Sequence, residues 1–399
     1  KIEAKSNRYT FVWRKSVEKN KEKLEVKVNR ILQDIENSIQ SDNQEVNADE
    51  LPQKIDSDGL KKRLSELNRK LKEPTKSQAK ELKKLQEEHL PKLEEYEQKL
   101  EILGDRNSYS KTDTDATFMR LKDDHMQNGQ LKPAYNVQIS TENQFITHAS
   151  IHQKPSDTTT LRPHLDGFEA AYQTQSKEVV ADAGYGSEEN YVMLKNKDII
   201  GYVKYNYFHK EQKKSLQKDP FLVQNLFYNS VEDFYVCPMG QRMENVGIGK
   251  RISSNGYESQ ITHYQAINCN GCPLRGQCHK AAYNRKIDVN HRLNHLKYEA
   301  KELLMSEKGL KHRSNRAIEP EAVFGQVKSN NMFDRFTFLG LEKAEMEFLL
   351  MGIGHNLRKM VAKHSALILK QLYSTIRRAS ELVSNQQILI NYHFRKLIA

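Results

Sequence analysis

Glu178-Val179-Val180-Ala181-Asp182-Ala183-Gly184-Tyr185-Gly186-Ser187 is the stretch whose reading decides the fold. Val179 and Val180 read as the end of a buried strand, because adjacent β-branched residues bounded by a turn suit a sheet covered on both faces. Asp182 follows at the strand's C-terminal end, and Gly184 and Gly186 permit a sharp turn. Ser187 is placed to cap a helix whose first turn carries Glu188 and Glu189, where the positive end of the dipole favours acids. Open α/β sheets bind ligands at this edge. Asp182 is therefore a candidate metal ligand, with an Asp that bonds its own turn backbone as the plainer alternative.

Working outward, Tyr135–Ile139 and Phe145–Ile151 alternate as a β-hairpin around Thr141-Glu142-Asn143. Residues 157–174 read as a helix capped by Ser156 or Asp157, 187–196 as a second helix, and 199–203 as another strand. The order β-β-α-β-α-β implies an α/β fold, a mixed sheet with helices on its faces.

Further upstream, Tyr9–Trp13 is strand-like. Val17, Leu24, Val28, Ile31, Ile35 and Ile39 then recur at helical steps, and Leu60, Leu64, Leu67 and Leu71 continue the seam. After Pro74 a third helix carries Leu82, Leu85, Leu93, Tyr96, Leu100 and Leu103, with Pro91 placed to bend or split it. Such stripes suit a helical hairpin or antiparallel coiled coil. They serve either a partner or, more commonly, the protein's own core.

Residues 205–300 read as irregular and hold all four cysteines, Cys237, Cys269, Cys272 and Cys278. Cys269 and Cys272 form a C-x-x-C pair, and Cys237 and Cys272 are each followed by proline in tight-turn contexts. Four thiolates satisfy tetrahedral zinc, with His263 and His279 as spare ligands. Disulfides or free thiols are the rival readings; the sequence shows no signal-peptide pattern to favour disulfides. Downstream, Glu321, Phe324 and Lys328 lie at i, i+3 and i+7, one face of a helix that Pro320 opens. A carboxylate and an ammonium there suit a metal and a phosphate; an ordinary exposed pair is the alternative.

The chain has 399 residues, with 63 Lys and Arg against 52 Asp and Glu, for a net charge of +11. That balance points to a polyanionic partner, most simply nucleic acid. No apolar run approaches the roughly 18 residues that span a membrane, so no membrane partner is expected and the setting expected is cytoplasmic.

Asp182-Ala183-Gly184-Tyr185, Glu321-x-x-Phe324-Gly325-x-x-Lys328 and His355-Asn356-Leu357 together resemble DDE-type transposases of bacterial insertion sequences. Leu131–Gln138 and the cysteine cluster resemble one group of them, the eleven-eighty-two group, with an early helical insertion and a cysteine-rich insertion. The resemblance implies a ribonuclease H-like mixed sheet and two Mg²⁺ ions held by three acids; the zinc read from the cysteines would be a structural ion. It divides the chain into 1–13 (start of the catalytic domain), 14–110 (helical or coiled-coil insertion), 111–204 (core), 205–310 (cysteine-rich insertion), 311–363 (helices carrying the Glu) and 364–399 (basic helical tail). It makes Asp182 the second acid and Glu321 the third, Lys328 a phosphate contact and Arg316 a second DNA contact. Its partners are transposon ends, target DNA and further copies of the chain in the active complex, at the bacterial nucleoid.

The family's first acid belongs to an Asp-Gly-Thr that would stand just before Lys1. With Lys rather than Met first, the chain reads as a stretch of a longer protein, and as it stands is expected to be catalytically defective. Asp113 and Asp115 are the available stand-ins. Two further readings stay open: a non-enzymatic DNA-binding remnant that inhibits an intact transposase, and a zinc and coiled-coil adaptor.

Overall fold

The computed structural model describes residues 1–42, 54–70, 75–121, 129–253 and 255–398, which form a mixed α/β fold. Pro52, Leu71 and Pro74 lie outside the described residues, as does the side chain of Ile39. The chain divides into two units. One comprises Lys1–Val137, Ile151–Pro155 and Phe333–Glu347; the other comprises Gln138–Ser150, Ser156–Met332 and Phe348–Ala399.

In the first unit, β1 (Ile2–Glu3) is buried and β2 (Phe11–Trp13) runs directly into the helix α1 (Arg14–Asp42). Three helices follow, α2 (Ser57–Lys70), α3 (Lys76–Lys84) and α4 (Leu90–Leu103). Their apolar stripes converge: Val28, Leu32, Ile35, Leu60, Leu64, Leu67, Leu82, Leu85 and Leu93 share one core. Val17 and Leu103 pack instead with Val12 and Tyr109. Burying each such leucine contributes about 1.5–3 kcal/mol, which is how helices this charged stay folded. Thr75 opens α3 with a reciprocal capping box to Gln78. Between α3 and α4 the chain widens into a π-turn at Leu85–His89. Pro91 lacks an N–H and its ring needs room against the preceding turn, so the α ladder opens just ahead of it.

β3 (Ser108–Ser110) pairs with β2, while β4 (Thr117–Arg120) and β1 flank β5 (Leu131–Glu142), all antiparallel. β6 (Phe145–His152) folds back on β5. The hairpin turns at Asn143 and Gln144, with φ of 53° and 66°, one residue beyond the turn read from the sequence. Asn enters the left-handed region at low cost, which favours it at such a tip.

In the second unit, α5 (Leu161–Tyr172) precedes β7 (Glu178–Ala181), and α6 (Glu188–Asn196) crosses over to β8 (Ile200–Val203). β7 and β8 are parallel, with Glu178 opposite Ile200 and Ala181 opposite Val203. Their core includes Leu165, Tyr191, Leu194, Val203, Phe208 and Leu304, with Val179 and Val180 packed against it half-buried rather than fully covered. One mixed sheet was the expectation. The pairings among the described residues instead keep β7 and β8 as a sheet of their own, apart from β1, β4, β5 and β6. Element order fixes the crossover helix but not which strand edges meet.

Residues 205–300 are far more ordered than their sequence suggests. After a turn of helix, α7 (Lys214–Gln217), come β9 (Phe227–Asn229), β10 (Phe234–Val236), β11 (Arg242–Ile252), β12 (Glu258–Ala266) and, beyond the short α8 (Arg275–Cys278), β13 (Lys286–Val289). They form one antiparallel sheet in the order β13-β12-β11-β10-β9. The expectation of irregular structure failed because β11 is exposed along most of its length and so lacks the alternation that marks a half-buried strand. The helices α9 (His291–Met305), α10 (Glu307–Asn315) and α11 (Pro320–Gly325) follow, then α12 (Leu341–Ile398). Among the described residues no helix is long and apolar enough to cross a membrane.

Candidate functional site

β7 ends at Ala181, and Asp182 continues in extended backbone into a tight turn over Ala183–Tyr185. Ser187 then accepts a hydrogen bond from the Asn190 N–H at 3.2 Å and caps α6. Gly186 is required here: a Cβ would lie 2.3 Å from the Lys204 carbonyl oxygen and 2.7 Å from the Tyr205 Cα. The turn after β7 therefore presses against the end of β8, and Asp182 and Lys204 emerge from the same C-terminal edge of the parallel pair.

Arg316, in the turn between α10 and α11, binds this edge. Its Nη1 donates to Asp182 Oδ1 at 2.5 Å, and its Nη2 stands 3.9 Å from Glu321 Oε1. One guanidinium thus reaches both acids read from the sequence, although the whole five-stranded sheet intervenes along the chain. The Arg316 side chain is only 12% exposed, while those of Asp182 and Glu321 are 50% and 63% exposed. Burial opposes ionisation of Asp182, but the hydrogen bond and charge of Arg316 outweigh it and hold the carboxyl below its ordinary range. At Lys204 burial and then the charge of Arg316 depress the ammonium, with Asp182 pulling the other way. Lys204 was not singled out in the sequence. Its signal is positional: it follows β8 as Asp182 follows β7.

The floor of the turn is polar. Tyr185 donates its hydroxyl proton to Gln138 Oε1, and Gln138 donates from Nε2 to Asp157 Oδ1 at 3.3 Å. Burial, reinforced by the charges of Asp157 and Asp182, raises the Tyr185 phenol and keeps it a donor.

Pro320 and Glu321 occupy the first turn of α11, as read. The one-face argument for Lys328 does not hold. The α-helix stops at Gly325 and a π-turn, Gln326–Asn330, carries Lys328, with the Asn331 N–H donating to Gln326 O at 3.0 Å. A wider turn rotates each residue less than an α-helix does, so i and i+7 drift apart. His355 and Asn356 act on the hairpin. His355 Nε2 lies 2.9 Å from Gln144 O, and Asn356 bonds the N–H and the carbonyl of Ile146, both at 2.8 Å. Glu319 accepts from the Gln144 N–H at 2.9 Å.

In the first unit Asp113 and Asp115 are engaged locally. Asp113 is 4% exposed and accepts from the Tyr135 hydroxyl at 3.0 Å, with burial raising its carboxyl. Asp115 accepts from the Leu341 N–H at 2.9 Å.

The four cysteines are free thiols, so the disulfide alternative is not realised. All four line one cavity, together with His279 and Arg285. Arg285 donates from its backbone N–H to Cys269 Sγ at 3.3 Å and from Nη1 to Cys278 Sγ at 3.0 Å. His263, the other spare ligand, pairs instead with Asp288 at 2.7 Å.

Among the described residues no three or more His, Cys, Asp or Glu side chains stand at the spacing that holds a metal ion. Neither the expected two-magnesium site nor the expected four-cysteine zinc tetrahedron is assembled. At the acids a guanidinium takes the place between the carboxylates. At the cysteines the side chains line the cavity wall, two of their sulfurs accepting N–H groups of Arg285.

Residues 236–361 match the protein family described as Transposase DDE domain. The match takes in Arg316, Glu321, Lys328, all four cysteines and His355-Asn356-Leu357; Asp182 lies outside it. No curated protein matches the chain, and no solved structure does.

Proposed function

We propose that the chain is the catalytic region of a DDE-type DNA transposase with a ribonuclease H-like core, of the eleven-eighty-two group. Its reaction is phosphodiester cleavage at element ends followed by strand transfer into target DNA. The observation that carries this reading is the single guanidinium of Arg316 reaching both Asp182 and Glu321, beside a stretch that matches the Transposase DDE domain family. A cation between two carboxylates is the arrangement a divalent ion would replace, so the donor set suits Mg²⁺. Two such ions, when bound, activate the attacking oxygen and stabilise the leaving one. Asp182 and Glu321 would hold them, together with a third acid. Arg316 and Lys328 would then contact phosphate, and the net charge of +11 would favour DNA at low salt.

Supercoiled-plasmid nicking in Mg²⁺ tests the reading. Supplied with a third acid, the chain is expected to nick, and Asp182→Ala or Glu321→Ala to reduce nicking to background. Nicking indifferent to both substitutions would sink the assignment.

A further inference from the structure

The two-stranded sheet of β2 and β3 supplies none of the residues used in the reaction proposed above. Helices close one of its faces, where Val12 and Tyr109 pack with Val17 of α1 and Leu103 of α4. Strand alternation sends Phe11 and Trp13 to the other face. Opposite them in the register stand Ser110 and Ser108, too small to cover an aromatic ring. Phe118 of β4 packs against both rings instead. Its ring centroid lies 6.0 Å from that of Phe11 at 89° and 5.8 Å from that of Trp13 at 46°. Phe11 and Trp13 are 6.2 Å apart at 50°.

Two observations point to what this face takes. The first is a gradient of exposure. Phe118 is 5% exposed and its N–H donates to Ser108 Oγ at 3.2 Å, whereas Phe11 is 50% exposed and Trp13 is intermediate. A fixed ring thus supports two that reach water. None of the three contacts is stacked, so none of these rings lies flat on another. Rings held in this way lose little freedom when a flat partner settles on them. The second observation is charge. Arg120 follows Phe118 by two residues on β4, which places it on the same face about 7 Å along the strand. Lys15 follows Trp13 by two residues, and Lys111 follows β3, donating its backbone N–H to the Thr10 carbonyl at 2.8 Å. All three cations are exposed. A flat, stackable group carried on an anionic chain answers to both observations.

We propose that Phe11 and Trp13, seated on Phe118, form a platform on which one unpaired base of single-stranded DNA stacks, with Arg120, Lys15 and Lys111 taking the flanking phosphates. Every base has a π face, so the platform accepts any base and reads no sequence. Bases within a duplex stack on one another, so the base that settles here is one already out of the helix. No bond forms or breaks at the platform. The inference rests on the transposase reading for its DNA substrate, and adds to it a place for a base left unpaired at a cleaved end.

Trp13 is the only tryptophan of the chain, so tryptophan emission reports this platform alone. The full chain is titrated at low salt, in chelator, with a short oligothymidylate whose fluorescent label reads binding independently by anisotropy. Emission is expected to be quenched in step with binding. A blunt duplex is expected to leave it unchanged, and the same duplex with a single unpaired thymine to quench it. Phe11→Leu keeps the apolar bulk and removes the ring; it is expected to bind the oligothymidylate about tenfold more weakly, with an unchanged melting temperature. Arg120→Gln is expected to lower the slope of log affinity on log salt by about 0.7, the share of one phosphate on a single strand. Absent binding, binding without quenching, equal quenching by the blunt duplex, or Phe11→Leu binding as tightly as the unaltered chain overturns the platform. Tighter binding of an oligouridylate overturns its assignment to DNA. No phosphodiester is cut in chelator, so quenching that persists in a chain unable to nick, or nicking without quenching, separates this proposal from the transposase reading.

Discussion

The acidic edge of β7 and β8 and the cysteine cavity both gather ligand-type side chains from distant segments, and each has an arginine. The arginines do opposite things. Arg316 lies between its acids and satisfies their charge directly. Arg285 stands at the margin of its pocket, donating to sulfur while anchored to the Phe221 carbonyl. The first arrangement pairs carboxylates with a charge; the second gives two of four sulfurs an N–H donor. A cluster of ligand residues is therefore informative only together with the cation that already serves it.

The largest effect expected from breaking this contrast is at Gly186. Gly186→Ala puts a Cβ against the backbone of Lys204 and Tyr205, where no rotamer change gives relief. A loss of ~3 kcal/mol in chemical unfolding is expected, and an unchanged midpoint would show that the acidic edge is not built on that close approach. Next is Arg285→Met, which removes the donors to Cys278 and to the Phe221 carbonyl. A loss of ~2 kcal/mol is expected, because buried acceptors are left unsatisfied.

The smallest effect belongs to Arg316→Gln. Its partner acid is half exposed, so about 0.2–1 kcal/mol is expected. The pH dependence is more telling than the size. Asp182 titrates below its ordinary value of about 4 when folded. Its pairing stabilises the fold fully above that value and is lost as the pH falls through the depressed one. Thermal melts of Arg316→Gln are expected to lack this part of the acid-side decline. If the decline is identical to that of the unaltered chain, other carboxylates cause it.

These contrasts also show what could be read from the chain alone. The code around Asp182 is local: a strand ending in Ala181, the turn glycines and the Ser187 cap all use neighbours in sequence, and all three form. The helical stripes were legible for the same reason, as was the break before Pro91. Arg316 was noticed but not as a partner of Asp182, because only tertiary folding brings the two together. The π-turn at Gln326–Asn330 carries no proline to announce it, so Lys328 was assigned to an α-helical face it does not share. Cysteine spacing marked the pocket, whereas the pairing of His263 with Asp288 depends on the register of adjacent strands.

Arg316 has one further consequence. A corner whose two carboxylates already share an internal counter-ion can fold without borrowing a cation from its surroundings. Assembly of that corner thereby needs no divalent ion. A chain folded in the complete absence of divalent salt should arrive at the same architecture there, primed rather than collapsed.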